Sequence, residues 1–169
     1  MKLSTPINLL TTGLNMKILQ WLELKIPPLI QVLIFASLMW IIHQNTSSFN
    51  DTGSIYLAST LFLISLIISL FAVFNFRTED TTVDPRDPNK TTGLVLKGIY
   101  NYTRNPMYLG FFLSLLSWGI FLENIYSISF SFLFIIYMNR FQIKPEERIL
   151  LQKFGTEYQN YKASVRRWI

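Results

Sequence analysis

From Gly53 to Phe76 the chain runs for 24 residues without one charged side chain. A helix of that length rises about 36 Å, enough to cross the roughly 30 Å hydrocarbon core of a bilayer. A helix also satisfies its own backbone polar groups, which lipid cannot do for it. The stretch therefore predicts a transmembrane helix. Three further uncharged runs flank it: Ile26–Ile42 with 17 residues, Asn105–Leu122 with 18 and Ile125–Asn139 with 15. The last two are separated only by Glu123-Asn124, which predicts a tight helical hairpin. Gly110 and Gly119 lie within the hairpin's first helix and allow helix backbones to approach closely. Pro27-Pro28 suits the first turn of the first span, and Trp40 and His43 fall near its far interface. The apolar residues are gathered in blocks, so the predicted fold class is an all-α integral membrane protein. One domain covers 1–169, with about four transmembrane helices near 26–42, 54–76, 106–122 and 125–139.

Charge gives an orientation. The loop after the first span carries Asp51 and the hairpin tip carries Glu123, but neither carries a Lys or Arg. All 15 Lys and Arg residues lie in 1–25, 77–104 or 140–169. The positive-inside rule then places both termini and the 77–104 connector in the cytoplasm. The net charge of +5 is accounted for by this topology, so no nucleic-acid partner is expected. With no cysteine and one histidine, His43, neither a disulfide framework nor a metal site is expected. Residues 1–25 lack the pattern of a cleaved signal peptide. Leu14–Leu24 fits either a short interfacial helix or a partly ordered tail.

Two polar passages, Gly93–Gly110 and Arg140–Gly155, fall on the same predicted face. They are expected to meet there in a small-molecule site. Arg104 stands one residue before an uncharged run and needs a partner: a carboxylate, a cofactor or a lipid phosphate. Asn105-Pro106 shapes a helix entrance whose free N–H groups suit an anion or an ordinary cap. Pro145 with Glu146-Glu147 predicts a helix start, the acids offsetting the helix dipole or serving the site. Gly155 reads as its C-cap, and Ile149, Leu150 and Phe154 as an apolar stripe. Tyr158, Tyr161 and Val165 follow at helical spacing. Arg166-Arg167 beside Trp168 reads as an interfacial anchor. There is no GxxxxGK[ST] loop, no GxGxxG and no Ser/His/Asp set, so NTPase, Rossmann and hydrolase chemistry lack support.

The ordered set of these motifs resembles one family. Gly93–Gly110, a helical hairpin, then Glu146-Glu147, Phe154-Gly155, Tyr158, Tyr161 and Val165 are similar to the isoprenylcysteine carboxyl methyltransferase and phospholipid methyltransferase superfamily. The pattern there is roughly LV..G.Y...R[HN]P.Y.G followed by EE..L...FG..Y..Y. The resemblance covers about residues 81–168. The string LKIPPLI at Leu24–Ile30, and Thr81-Thr82-Val83 before Pro85, also resemble small bacterial members.

The resemblance implies methyl transfer from S-adenosylmethionine to a small lipophilic or membrane-embedded acceptor, by carboxylate O-methylation or amine N-methylation. It implies a cofactor-binding half at about 81–169, built from cytoplasmic connector and C-terminal helices, in a bacterial inner membrane. Thr92, Gly93, Leu94, Val95, Tyr100, Asn105, Pro106, Met107, Tyr108 and Glu146 would bind the cofactor, Glu146 at its ammonium group. Arg104, Tyr108 and Glu147 would serve catalysis, and an apolar cavity between the last spans would admit the acceptor. Two positions depart from the eukaryotic pattern. Asn105 replaces a histidine, and Gln142 stands where those enzymes carry a substrate-binding arginine. The departure at Gln142 weakens the case for a prenylcysteine carboxylate. The alternatives are a non-catalytic scaffold or lipid-binding protein of the same fold and an NADPH-dependent reductase, for whose many spans the chain is short.

Overall fold

The computed structural model describes residues 23–49, 53–78 and 93–169, with side chains up to Asn75 in the second segment. Thr92, the connector at 79–92 and most of the interfacial helix expected at 14–24 lie outside the described residues.

The described residues form an all-helical fold. Helix α1 spans Pro28–Gln44, α2 Ser54–Thr78, α3 Pro106–Phe121, α4 Ile125–Met138 and α5 Lys144–Ser164. A short 3₁₀ turn at Gly98–Asn101 precedes α3, and a π-helical turn at Asn139–Ile143 joins α4 to α5. By length and composition α2 is able to cross a membrane over Ser54–Asn75, with a mean hydropathy of 2.5; α1 and α3 are apolar but shorter. Leu29, Leu33, Leu63, Leu70 and Phe74 are exposed on α1 and α2.

Helix α3 is the centre of the packing. It meets α2 on one side and α1 and α4 on the other, and α1 also packs on α4. The glycines expected to allow close approach do so. A Cβ on Gly110 would lie 2.1 Å from Ser69 Oγ and 3.0 Å from the Ser65 carbonyl oxygen on α2. A Cβ on Gly119 would lie 2.9 Å from Ile128 Cα on α4. Met39, Leu115, Phe134 and Met138 fill the interface of α1, α3 and α4. Buried hydroxyls are satisfied across helices: Ser117 Oγ donates to the Ala58 carbonyl at 2.8 Å and Ser127 Oγ to that of Met39 at 2.9 Å.

The hairpin turn is tight, with Glu123 at φ 52° and Asn124 capping α4 by accepting from Ser127 N–H. Asn124 is fully buried, and its amide donates to Thr46 Oγ1 and the Ser47 carbonyl. Ser54 Oγ donates to Glu123 Oε1. The two loops poor in Lys and Arg thus meet at one end of the bundle, and the two polar passages occupy the other.

The helix start expected at Pro145 is found: Pro145 and the acids Glu146 and Glu147 lie in the first turn of α5. The backbone before it is also helical, because α4 runs on through the π-turn into α5. Pro145 has no N–H to return to the carbonyl four residues earlier. That carbonyl, Phe141 O, accepts from Leu24 N–H at 3.0 Å instead. Glu23 reinforces the joint, its carboxylate bonded by Arg140 at 2.5 Å and by Arg148. Gly155 adopts φ 51°, ψ −122°, a positive-φ break between two helical halves of α5, which is the place its expected role as a C-cap requires.

Candidate active site

The 3₁₀ turn brings Tyr100 inward. Gly98 at φ 63° lets it lie against α2: a Cβ there would sit 2.3 Å from Asn75 Nδ2. Val95, Tyr100 and Ala72 form a small buried cluster, with Ile99 and Met107 beside it. Tyr161 from the far half of α5 donates to the Tyr100 carbonyl at 2.8 Å.

Tyr108, in the first turn of α3, donates its hydroxyl to Glu146 Oε1 at 2.6 Å. Gln142 in the π-turn donates to the same oxygen through Nε2 at 2.5 Å. The bonds on Glu146 among the described residues therefore fall on Oε1 and come from neutral donors. The residue is closely surrounded yet keeps part of its surface open. Burial pushes its carboxyl up to about 8; the bonds from Tyr108 and Gln142 act downward, and the charge of Glu147 acts upward. Burial likewise raises Tyr100, with Tyr161 and Glu146 adding to it.

Glu147 is the opposite case. Arg104 Nη2 donates to its Oε1 at 2.9 Å, Arg167 Nε to the same atom at 3.0 Å, and Arg167 Nη2 to Oε2 at 2.7 Å. Burial alone would raise this carboxyl, but the two arginines outweigh it and hold it below the ordinary range. Arg104 Nη1 also donates to the carbonyls of Lys162 at 2.8 Å and Val165 at 2.6 Å. Its Nε is buried with no partner among the described residues.

Asn105 places its side chain on the tail, its Nδ2 donating to the Arg167 carbonyl at 2.9 Å. The first turn of α3 consequently has no side-chain cap. The anchor expected at the C-terminal arginine pair is also revised. Arg167 turns in to Glu147, and Trp168 packs against the main core and donates to Asn139 Oδ1 at 3.2 Å.

The structure brings Val95, Tyr100, Met107 and Tyr108 together near Glu146, with Pro106 buried at the start of α3. Leu94 is half-buried beside them. At Gly93 an added Cβ would meet nothing within 4 Å. Sequence reasoning missed Arg167, whose sign was its place two residues beyond Val165, and Gln142 as a donor to Glu146.

A family model of phospholipid methyltransferases matches residues 53–157, which includes the Tyr108–Glu146 pair. The chain belongs to the phospholipid methyltransferase family. It is 46% identical over 63 residues to an uncharacterized protein of Haemophilus influenzae, covering 37% of this chain and 100% of that one. It is 38% identical over 80 residues to the protein-S-isoprenylcysteine O-methyltransferase of Schizosaccharomyces pombe, covering 46% of this chain and 33% of that one. To the protein of the same description in Dictyostelium discoideum it is 40% identical over 73 residues, covering 43% and 30%. The chain thus spans about a third of the length of those two enzymes. No solved structure matches it. Membership in the phospholipid methyltransferase family supports methyl transfer as the general chemistry.

An apolar groove of about 280 Å³ opens between α2 and α3, lined by Ile55, Phe62, Ser114, Trp118 and Phe121. It sits toward the hairpin end, away from Tyr108 and Glu146.

Proposed function

We propose that the chain transfers a methyl group from S-adenosylmethionine to a small lipophilic acceptor at the cytoplasmic face of a bacterial inner membrane, with four helices in the bilayer and both termini in the cytoplasm. The observation that carries this reading is Glu146. A closely surrounded carboxyl with only neutral donors on one oxygen, and the other free of described partners, is held largely neutral by burial until a cation beside it stabilises the ionised form. The cofactor's ammonium is such a cation, making a charge-assisted bond in a poorly hydrated place. Bound there, S-adenosylmethionine supplies a methyl group activated on a sulfonium.

The residues divide by what their atoms hold. Glu146 binds the ammonium, while Tyr108 and Gln142 fix its carboxylate. Gly93, Leu94, Val95, Tyr100, Pro106 and Met107 line the cofactor, as would Thr92. Arg104, Asn105 and Glu147 position the others. Glu147, which the resemblance implied would serve catalysis, has both oxygens engaged by arginines and is assigned to anchoring. Methyl transfer gains mainly from alignment and exclusion of water, so such positioning is the protein's main contribution.

The charge balance favours an amine over a carboxylate as acceptor. Arg104 and Arg167 are committed to Glu147, and Arg140 and Arg148 to Glu23. Gln142 gives the neighbourhood of Glu146 a neutral donor where a carboxylate substrate would need a cation.

Binding of S-adenosylhomocysteine to the protein in nanodiscs, read by calorimetry, tests the proposal. Binding with micromolar affinity that weakens by about 10- to 150-fold in Glu146→Ala is expected, the 1.5–3 kcal/mol scale of a bond to a charged group. A folded protein that binds nothing would overturn it in favour of a scaffold.

A further inference from the structure

The last residues of the chain touch three separate segments. Arg104 N–H donates to the Arg166 carbonyl at 3.0 Å. Thr103 Oγ1 and Asn105 Nδ2 both donate to the Arg167 carbonyl, at 3.2 and 2.9 Å. The Arg167 guanidinium bonds Glu147 with two nitrogens, at 3.0 and 2.7 Å. Its third nitrogen reaches Asn139 Oδ1 at 3.5 Å, the oxygen that also accepts from Trp168 Nε1 at 3.2 Å.

Each contact lies next to a residue of the Glu146 cluster. Asn105 is three positions before Tyr108, about one helical turn. Glu147 adjoins Glu146. Asn139 opens the π-turn that carries Gln142. Gln142 and Glu146 lie four residues apart on one continuous helical run, so what this short segment sets is their placement relative to Tyr108. Helix packing alone does not do this, because the start of α3 and the start of α5 meet here at their ends.

We propose that Val165–Trp168 is a positioning strap for the site, in which Arg167 acts through Glu147 and Asn139 to hold Glu146, Tyr108 and Gln142 in register. Arg167 touches none of the three, so its role is positional. The inference rests on Glu146 being the binding carboxylate, but its test does not require a bound cofactor.

The readout is the titration of the Glu146 carboxyl carbon, followed by ¹³C magnetic resonance in the unliganded protein and assigned by its loss in Glu146→Gln. Among the described residues the groups facing or acting on this carboxyl are Tyr108 on α3, Tyr100 on the 3₁₀ turn, Gln142 on the π-turn and Glu147 and Tyr158 on α5. Arg104 and Arg167 act through Glu147. Arg167→Gln leaves Glu147 less neutralised and frees the strap. The midpoint is expected to move upward by at least half a unit, and affinity for S-adenosylhomocysteine to fall at least tenfold. Arg167→Lys keeps the charge without the fork and should recover part of both. Exposed Glu157→Gln should change neither. An unmoved midpoint in folded Arg167→Gln would overturn the strap, as would Arg167→Lys behaving no better than a folded Arg167→Gln. Should Arg167→Gln not fold, an unmoved midpoint in Arg167→Lys would overturn it. Absence of nucleoside binding by the unaltered protein would overturn the proposed function instead, while the titration would still decide the strap.

Discussion

Tyr108 donates to Glu146 across 2.6 Å and so ties the first turn of α3 to the first turn of α5. The bond holds one carboxylate oxygen and leaves the other without a described partner. Beside it Glu147 has both oxygens bonded by arginine. Two adjacent acids thus occupy opposite states, one shared by neutral donors and one by cations.

That contrast sets a pH dependence. The Glu146 carboxyl is pushed to about 8 from an ordinary 4.5. A cation binds only its ionised form, so S-adenosylhomocysteine affinity should rise about tenfold per pH unit toward 8 and flatten above it. The stability of the unliganded protein runs the other way. A raised carboxyl contributes stability fully present below about 4.5 and lost as pH rises through about 8. Calorimetry and thermal unfolding between pH 6 and 9 should show both trends, and Glu146→Gln should abolish both. A slope that persists in the variant would assign the titration to another group.

Glu147 carries the opposite sign. Its folded value is lowered, so its contribution is present above about 4.5 and lost as pH falls through the folded value. Glu147→Gln leaves Arg104, whose side chain is 8% exposed, and Arg167 without their carboxylate. Removing one partner of a buried pair costs about 3–5 kcal/mol. Thermal unfolding should show that deficit at neutral pH and a narrowing gap in acid.

Gly110→Ala should destabilise by about 1–3 kcal/mol through overpacking against α2. Its Cβ would lie 2.1 Å from Ser69 Oγ. Adding Ser69→Gly should recover part of the loss, while Ser65's backbone carbonyl, 3.0 Å away, limits the recovery. Strict additivity in a double-mutant cycle would mean that the two positions do not press on each other.

The proposed orientation is checked with thiols, since the chain has no cysteine of its own. Single cysteines at Ser48 and Tyr126, both exposed near the hairpin end, should react with an impermeant external label. One at exposed Gln159 should not. The reverse pattern would invert the topology.

Much of the bundle was legible because its signals are local. Glu123-Asn124 between two uncharged runs marks a turn, and Gly110 and Gly119 mark close approaches. The convergence of the polar passages followed from charge and motif order. The π-turn was not legible, because Arg140 after an uncharged run reads as the end of a helix, whereas the backbone stays helical through Ile143 into the start at Pro145. The strap was hidden for a related reason. An arginine pair beside tryptophan has the composition of an interfacial anchor, and only the fold shows Glu147 and Asn139 waiting for it.

The uninterrupted passage from α4 through the π-turn into α5 has a mechanical meaning. From Ile125 to Glu146 the backbone is helical throughout, with no loop between the hairpin tip and the carboxylate. A change in the tilt of α4 is therefore a displacement of Glu146. In the proposed topology, the bilayer that sets that tilt becomes part of the frame against which the site is aligned.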